Sequence, residues 1–409
     1  MGQQPLTDGQ CQQAIDAYAL YGDARAAGKS LNLPENTFRN RIKEGRRREL
    51  KISKGITDKE SPKHLLAQIK ELQSDLKKAQ ATEINHEIVK HKIIELKSAV
   101  SVLEPLEWLL DPGTSISAPG VPTLMCSDWH AGEVVKPSQI GGVNTYNMTI
   151  FRERVKVLVL TAIKLLKIVS PKMDYPGIVV PLGGDFVSGN IHDELTATNE
   201  LNTMPTVLEL YGAISWMLDE LLKEFPRIFL PCTSGNHGRD TKKIWKKDRH
   251  HTSFDWLLYC FLAKRYEHDK RVTFLIPDGP DAYYKIYNHR FLLSHGDQYR
   301  GGDGVIGALG PIIRGDHRKR SRNSQINMPY DVQIMGHFHQ YMHLTRLIVN
   351  GSLKGYDEYA YTENFPFEFP QQALFLNHPR YAITYRMPVY VDPNRGQKSL
   401  VKSWVSLSS

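Results

Sequence analysis

Polar residues that can bind metals or transfer protons follow five short apolar segments beyond residue 120. The segments end in Asp-Trp-His, Gly-Asp, Gly-Asn-His, His-Gly-Asp and Gly-His-Phe-His. Carboxylate, imidazole and amide groups are the mixed hard and borderline ligands that hold manganese, iron or zinc. A single histidine or aspartate at a strand end is usually structural, but a set of five motifs indicates a common site. Their polar residues are Asp128, His130, Asp185, Asn236, His237, His295, Asp297, His337 and His339.

The elements that must position these residues form an α/β pattern. The five segments VPTLMCSD, GIVVPLGGD, RIFLPCTSGNH, RFLLSHGD and DVQIMGH read as strands, and amphipathic stretches such as RERVKVLVLTAIKLLKIV and FDWLLYCFLAKRY lie between them. Open α/β sheets assemble their sites at strand ends, and the adjacent glycines allow sharp turns there. Later segments, YKIYNHRFLLS, MHLTRLIVN and YAITYRMPVYV, predict antiparallel strands.

The order of the five motifs resembles that of the calcineurin-like metallophosphoesterase superfamily, which is D-x-H, G-D, G-N-H, H and G-H-x-H. The resemblance covers roughly residues 121 to 355. It implies an α/β/β/α sandwich that binds two divalent metal ions, expected to be manganese, with iron or zinc as alternatives. By motif, one ion is held by Asp128, His130 and His339, the other by Asn236, His295 and His337, and Asp185 bridges them.

The same resemblance makes His237 the catalytic histidine. Two cations about 4 Å apart lower the pKa of a bridging water toward neutrality, so that hydroxide attacks phosphorus. His237 supplies the proton of the leaving oxygen or stabilises its charge. Many members have an acidic residue directly after G-N-H, whereas this chain has Gly238-Arg239-Asp240. Asp240 or the His192-Asp193 pair could orient His237, and the sequence does not choose. The alternative is a degenerate enzyme whose metals are only structural.

An N-terminal unit of helical pattern precedes the α/β region. Residues 8 to 50 show apolar residues at helical spacing, a break at Asn32-Leu33-Pro34 and then a basic helix. This unit resembles the helix-turn-helix of small phage and transposon DNA-binding proteins, with Glu35 to Arg47 as the recognition helix. The alternative is a three-helix bundle with solvated arginines. The resemblance implies major-groove contacts by Asn36, Thr37, Arg39 and Asn40 and phosphate contacts by Arg46, Arg47 and Arg48.

Two basic segments follow the metal-ligand motifs. RDTKKIWKKDRHH comes after G-N-H, and IIRGDHRKRSR comes after H-G-D. We expect both to be loops near the metals that suit a phosphate backbone, although solvated loops on a basic protein are the alternative. The candidate DNA-binding residues here are Lys242, Lys243, Lys246 and Lys247.

A heptad-like stretch connects the two regions. Leu65, Ile69, Leu72 and Leu76 form an apolar seam, which predicts a coiled-coil arm and a homodimer. The phase is lost near residues 81 to 87, so the arm is either a stuttered helix or a helical hairpin. An alternative is that it packs on its own catalytic domain. The predicted domains are a helix-turn-helix over 1–55, the arm over 61–105 and the phosphoesterase over 120–409, with DPGTSISAPG before the last.

Composition bounds the class of protein. The chain has 409 residues, a net charge of +8 and four cysteines without a C-x-x-C pair. Its length predicts two domains or more, and its charge hints at a polyanionic partner. No run is apolar for long enough to span a bilayer, and the first residues lack the features of a secretory signal. We therefore expect a cytoplasmic protein of a bacterial or phage-infected cell, since the helix-turn-helix resembles phage proteins.

These features favour a DNA nuclease that hydrolyses phosphodiester bonds. The motif SDWHAGE is similar to the S-D-x-H-x-G of the nuclease subunit of SbcCD-type repair complexes. That family does not ordinarily begin with a helix-turn-helix, and here the helical arm precedes the catalytic part. Two alternatives stay open, namely a metal-dependent phosphatase or small-molecule phosphodiesterase recruited to DNA, and a noncatalytic DNA-binding regulator.

Overall fold

The computed structural model describes residues 5–51, 106–111, 119–299 and 307–392. The chain divides into two compact units, Met1–Lys92 and Ile93–Ser409. The predicted helical arm over 61–105 lies outside the described residues, so the coiled coil and the homodimer stay predictions. Among the described residues, no helix is long and apolar enough to cross a membrane.

Three helices build the described part of the first unit. They are α1 (Asp8–Tyr21), α2 (Ala24–Ser30) and α3 (Glu35–Arg47). Thr7 begins α1 with a capping box, and the Asp23 carboxylate begins α2 by accepting hydrogen bonds from two backbone N–H groups. Phe38 and Ile42 of α3 pack on the alanines of α1 and α2. The predicted order of helix, turn and basic helix is present, while DNA binding by this unit stays a prediction.

The second unit contains helices and two sheets. Its helices are α4 (Glu107–Leu110), α5 (Met148–Val169), α6 (Asp193–Thr198), α7 (Thr203–Glu224), α8 (Phe254–Arg265), α9 (Leu309–Gln325) and α10 (Glu358–Thr362), with short 3-10 turns at Pro137–Gln139 and His250–Thr252. Its strands are β1 (Val121–Leu124), β2 (Ile178–Val179), β3 (Ile228–Pro231), β4 (Val272–Leu275), β5 (Asp281–Ile286), β6 (His289–Ser294), β7 (Val332–Met335), β8 (Met342–His343), β9 (Leu347–Val349), β10 (Gln371–His378) and β11 (Ala382–Tyr390).

The two sheets are mixed. The six-stranded sheet has the order β11-β10-β1-β2-β3-β4, in which β1 to β4 are parallel, β10 pairs antiparallel with β1, and β11 pairs antiparallel with β10. The five-stranded sheet has the order β5-β6-β7-β9-β8, with β6, β7 and β9 parallel. The five segments predicted as strands are therefore confirmed, and so are the antiparallel strands of the later segments.

The sheets pack face to face and carry helices on their outer faces. One buried cluster joins the two sheets, with Val179 and Phe229 from the first and Phe291 and Ile334 from the second. A second cluster joins the first sheet to α5, α7 and α8, and α9 packs on the second sheet through Ile312. The α/β/β/α sandwich predicted from the sequence is confirmed.

The packed unit includes a segment ahead of the predicted boundary at residue 120. Trp108 and Leu109 of α4 belong to the cluster between the sheets, and the backbone N–H of Tyr287 donates to the Leu109 carbonyl at 2.6 Å. The sandwich therefore reaches back at least to Leu106, because this short helix covers one end of its core.

Candidate metal centre

The loops that carry the metal-ligand motifs all follow parallel strands. Since β1, β2 and β3 run parallel in one sheet and β6 and β7 run parallel in the other, their carboxyl ends meet at one edge of the sandwich. In the first sheet, Asp128 and His130 follow β1, Asp185 follows β2, and Asn236 and His237 follow β3. In the second sheet, His295 follows β6, and His337 and His339 follow β7.

A first cluster comprises Asp128, His130 and His339. One ligand atom from each lies within 4.8 Å of the others. The Nε2 atoms of the two histidines are 3.0 Å apart, and His339 Nε2 lies 3.5 Å from Asp128 Oδ1. Two nitrogens that each lie ~2.1 Å from one ion would be ~3.0 to 3.4 Å apart, so the spacing fits a shared cation. Burial lowers the pKa of His130, which favours the neutral form that binds metals.

A second cluster comprises Asp185, His295 and His337, again within 4.8 Å. His295 Nε2 lies 2.9 Å from Asp185 Oδ2 and 3.2 Å from Asn236 Oδ1, which adds the amide oxygen to the set. His295 Nδ1 lies 2.9 Å from the Gly183 carbonyl oxygen. Nδ1–H therefore donates to this carbonyl, which turns Nε2 toward the cluster, as in many metal sites.

The buried charges of the second cluster balance one another. Burial by itself would raise the pKa of Asp185, but His295 and His237 outweigh it and hold that pKa well below its usual range. Burial would lower the pKa of His295, but the Asp185 carboxylate outweighs it and raises that pKa to about 10. A divalent cation in this cluster would replace the proton that His295 shares with Asp185, since ligands bind metals in their deprotonated forms.

Hydrogen bonds tie the two clusters together. Asp128 Oδ1 accepts from the backbone N–H of His337 at 2.8 Å, so a carboxylate of the first cluster fixes a loop of the second. Asp185 Oδ1 accepts from the backbone N–H of His237 at 2.6 Å. The structure thus brings all seven predicted ligands and His237 to one edge, while the bridging role of Asp185 stays a prediction.

Five of the seven proposed ligands also have a strained, left-handed backbone. A left-handed φ costs an L-residue about 1 kcal/mol or more and clusters at functional sites. Close approach also requires glycine beside the ligands, because a Cβ at Gly235 would lie 2.0 Å from Asp185 Oδ1 and one at Gly336 would lie 2.1 Å from Asp128 Oδ2. The ligands with left-handed φ are Asp128 (56°), His130 (46°), Asp185 (53°), His337 (73°) and His339 (55°).

His237 lies beside both clusters and is oriented by backbone. Its Nδ1 is 2.9 Å from the Ser188 carbonyl oxygen, and its ring centroid is 4.5 Å from that of His130. The Ser188 carbonyl therefore fills the orienting role for which the sequence offered Asp240 or the His192-Asp193 pair. Because Nδ1–H donates to this carbonyl, Nε2 is the atom available to a substrate. Burial lowers the pKa of His237 despite the nearby Asp185 carboxylate.

Asp255 supports the site and was missed by the sequence analysis. It is fully buried in the first turn of α8. Its Oδ2 accepts from the backbone N–H groups of Asp185 at 3.0 Å and Gly235 at 2.9 Å, and its Oδ1 accepts from Phe186 at 3.2 Å. One carboxylate thus fixes the loops after β2 and β3. An acidic residue within the apolar run FDWLLYCFLAKRY was the signal for it.

The two basic segments differ in structure. RDTKKIWKKDRHH forms an exposed loop beside the site, in which Arg239 Nη1 donates to the Asn236 carbonyl at 2.5 Å and Trp245 is 54% exposed. Lys242, Lys243, Lys246 and Lys247 are exposed there. The prediction of a second basic loop is wrong, because IIRGDHRKRSR lies within α9.

Carboxylates within the sandwich pair with much of the charge of α9. Lys319 Nζ lies 2.5 Å from Asp281 and Arg322 lies 2.8 Å from the same carboxylate, while Arg320 lies 2.8 Å from Asp316. Lys319 is thereby buried, whereas Arg322 keeps 46% of its side chain exposed. The four lysines named as candidate DNA-binding residues of this unit lie in the loop after β3.

The predicted DNA-binding residues of the first unit lie on the surface of α3. Asn36, Thr37, Arg39 and Asn40 are exposed, as a reading surface requires. Arg47 lies 2.7 Å from Glu44, and Arg48 lies 2.7 Å from Asp8, so part of the basic charge is paired within the unit. Exposed pairs of this kind are weak, and a phosphate could replace the carboxylates.

Neither a family model nor a curated protein matches the chain. Solved structures with some likeness include a Vps29 single mutant from Entamoeba histolytica, at 12% identity and a TM-score of 0.26, covering 66% of this chain and 99% of that one. A conserved uncharacterised protein from Streptococcus pneumoniae, described as a predicted phosphoesterase, has 8% identity, a TM-score of 0.24 and coverage of 66% and 97%. Vacuolar protein sorting 29 from Cryptosporidium parvum has 11% identity and a TM-score of 0.25, covering 66% of this chain and 98% of that one. These scores are too low to support any inference about this chain. Its own geometry gives two carboxylate and histidine clusters that fit divalent metal ions.

Proposed function

We propose that the chain is a metal-dependent phosphoesterase that hydrolyses phosphodiester bonds in DNA. The observation that carries the proposal is the pair of carboxylate and histidine clusters at one sheet edge, with a separately oriented histidine, His237, beside them. A structural metal site would not require a further buried imidazole fixed at Nδ1 and open at Nε2.

The proposed ligand sets follow the two clusters, with Asn236 added to the second and Asp185 between them. A pair of bound divalent ions supplies positive charge for the phosphoryl oxygens and lowers the pKa of water toward neutrality. Manganese is the proposed metal, because oxygen and nitrogen ligands are mixed here without sulfur. The ligand residues are Asp128, His130, Asp185, Asn236, His295, His337 and His339.

His237 is the proposed proton donor to the leaving oxygen, a role that requires its imidazolium form, in which Nδ1–H stays on the Ser188 carbonyl while Nε2–H is donated. Its Nδ1 is held by the Ser188 carbonyl, and the backbone N–H of His237 is held by Asp185, so Nε2 has a fixed position beside the metal ligands. General acid catalysis from such a position contributes a factor of about 10² to 10⁴ to the rate.

DNA is the proposed substrate because basic groups lie on the surface beside the site. The loop after β3 presents Lys242, Lys243, Lys246 and Lys247 around the exposed Trp245. Each phosphate that a lysine contacts adds a salt-dependent contribution to binding. The basic α3 of the first unit would add affinity for DNA, and a homodimer through residues 61–105 is part of the same proposal.

Hydrolysis of bis-p-nitrophenyl phosphate and of labelled single- and double-stranded DNA tests the proposal. The full chain with manganese should cleave both kinds of substrate, and His295→Ala should cleave neither. His317→Ala is the matched control, because this exposed histidine of α9 lies outside the site and should behave as the wild type. Cleavage of a phosphomonoester but not of DNA would favour the phosphatase alternative. Equal rates of hydrolysis with and without manganese for every substrate would contradict the proposal.

A further inference from the structure

A row of exposed aromatic side chains lies between β9 and β10. We call residues 355–369 the aromatic strap. Contiguous exposed apolar patches on soluble proteins are a feature of interaction and ligand-binding sites. The exposed rings of the strap are Tyr359 (67%), Tyr361 (51%), Phe365 (43%), Phe367 (43%) and Phe369 (37%).

The strap is ordered by its own contacts although its rings face outward. Asp357 Oδ1 accepts from the Ala360 backbone N–H at 2.8 Å and so begins α10. Tyr356 Oη donates to the Phe365 carbonyl at 2.8 Å. The rings of Tyr359 and Phe365 meet edge to face with centroids 5.7 Å apart. The aromatic surface is therefore fixed in shape before any ligand arrives, which reduces the entropy lost on binding.

Three of the four carboxylates of the strap turn inward, and the fourth, that of Glu363, is exposed. Asp357 pairs with the buried Lys354. Glu358 Oε1 accepts from the Lys136 backbone N–H at 2.7 Å, and Glu368 Oε1 accepts from the Tyr341 backbone N–H at 2.8 Å. These three groups hold the strap to the sandwich, so its outer face carries five aromatic rings and one exposed carboxylate, that of Glu363.

Both ends of the strap are attached to loops that carry metal ligands. At one end, Ser352 Oγ donates to the Asp128 carbonyl at 2.9 Å, and Lys354 pairs at 2.8 Å with Glu133, in the loop of His130. At the other end, Tyr341, whose N–H is bound by Glu368, follows two residues after His339. The aromatic surface is thus built onto the rim of the first metal cluster.

We propose that the aromatic strap stacks the unpaired bases of a nucleic acid whose backbone enters the metal centre. The inference rests on the proposed function and narrows its substrate to single-stranded DNA or an unpaired end. Aromatic faces bind bases of any sequence, whereas the bases of a duplex are already stacked on each other and must be extruded to reach a protein ring. A basic loop for phosphates and an aromatic surface for bases, both beside the same site, are the combination that single strands require.

Oligonucleotide binding by the full chain tests the stacking surface. The double variant Tyr359→Ala/Tyr361→Ala removes the two most exposed rings of the strap, and alanine is compatible with α10. Tyr381→Ala is the matched control, since Tyr381 is 64% exposed. Tyr381 follows β10, whose carboxyl end lies beside the start of β1, where Asn377 pairs with Val121. The proposed metal ligands follow the other end of β1. Fluorescence anisotropy in EDTA, with melting curves as a folding check, gives affinities for a single strand, its duplex and an abasic strand of equal length.

The double variant should bind the single strand about tenfold more weakly or worse, while Tyr381→Ala binds as the wild type. The double variant and the wild type should have equal affinities for the duplex and for the abasic strand. Equal affinity of both variants for the single strand overturns the inference, as does an equal loss on all three ligands. Loss of self-association in light scattering with unchanged DNA affinity also overturns it, because the strap would then bind a second copy.

Failure of the inference and failure of the proposed function give different results. Hydrolysis of bis-p-nitrophenyl phosphate by the wild type, combined with unchanged single-strand binding by the double variant, overturns the stacking surface alone. A wild type that hydrolyses no diester, combined with weaker single-strand binding by the double variant, supports the stacking surface and contradicts the phosphoesterase.

Discussion

Replacement of Asp255 should damage both the stability of the sandwich and its affinity for metals. This carboxylate is buried and accepts hydrogen bonds from three backbone N–H groups, those of Asp185, Phe186 and Gly235. Asp255 is not one of the proposed metal ligands. A change in metal affinity on its replacement would therefore show that Asp255 positions the loops of Asp185 and Asn236.

The magnitudes follow from those three bonds. A buried N–H left without an acceptor costs about 1 kcal/mol or more, so Asp255→Ala should lower the free energy of unfolding by about 3 kcal/mol or more. That is a large part of the 5–15 kcal/mol available to a typical domain, roughly speaking. Asp255→Asn retains one oxygen, which can serve the Asp185 and Gly235 N–H groups that share Oδ2, and should cost about 1 to 2 kcal/mol.

Chemical denaturation and metal titration of the two variants are the assay. Groups that orient metal ligands typically contribute about 10- to 100-fold to affinity, so Asp255→Asn should fold and bind the metal of the second cluster more weakly by such a factor. Excess metal should restore part of its diesterase activity. Wild-type stability in Asp255→Ala would refute the reasoning, because that variant removes all three hydrogen bonds. Wild-type metal affinity in Asp255→Asn would refute the positioning role.

Three further predictions concern catalysis, acid stability and DNA binding. His237→Ala should keep its metals but turn over DNA about 10²-fold more slowly, with a smaller loss on nitrophenyl esters, whose leaving group needs no proton; equal losses would exclude it as the proton donor. Burial would raise the pKa of Asp357, but Lys354 outweighs it and lowers that pKa to about 2. The ionised Asp357 therefore adds about 2 kcal/mol to the free energy of unfolding above pH ~4, and this contribution is lost as the pH falls toward 2. Asp357→Asn should remove that loss from a plot of unfolding free energy against pH. Arg46→Ala should reduce the salt dependence of DNA binding by about one phosphate contact, and an unchanged slope would remove Arg46 from the interface.

The sequence predicted the strands and the polar residues that follow them because those features are local, whereas the sandwich was implied by the family resemblance. An apolar run followed by glycine and a polar residue specifies both a strand and what its carboxyl end carries, and parallel pairing then brings residues as distant as Asp128 and His339 together. Glycines such as Gly235 were informative for a physical reason, since no Cβ fits beside Asp185.

Supporting contacts were not predicted, because they depend on backbone atoms and long-range packing. The Ser188 carbonyl that orients His237 has no signature in residue type. Asp255 reaches Asp185 across 70 residues, and only its place in an apolar helix sets it apart. The basic segment in α9 was mistaken for a loop because its charges suggested solvent, whereas Lys319 is buried against Asp281.

Metal stoichiometry measured together with diester hydrolysis tests the central claim most directly. The full chain is stripped with a chelator, titrated with manganese and assayed at each step for bound ions and for turnover of bis-p-nitrophenyl phosphate, alongside His339→Ala. Two clusters of ligands at one edge predict two ions per wild-type chain, turnover that requires both, and one ion with little turnover in His339→Ala. Binding of fewer than two ions at saturation, or hydrolysis that is independent of manganese and unchanged in His339→Ala, would contradict a two-metal phosphoesterase.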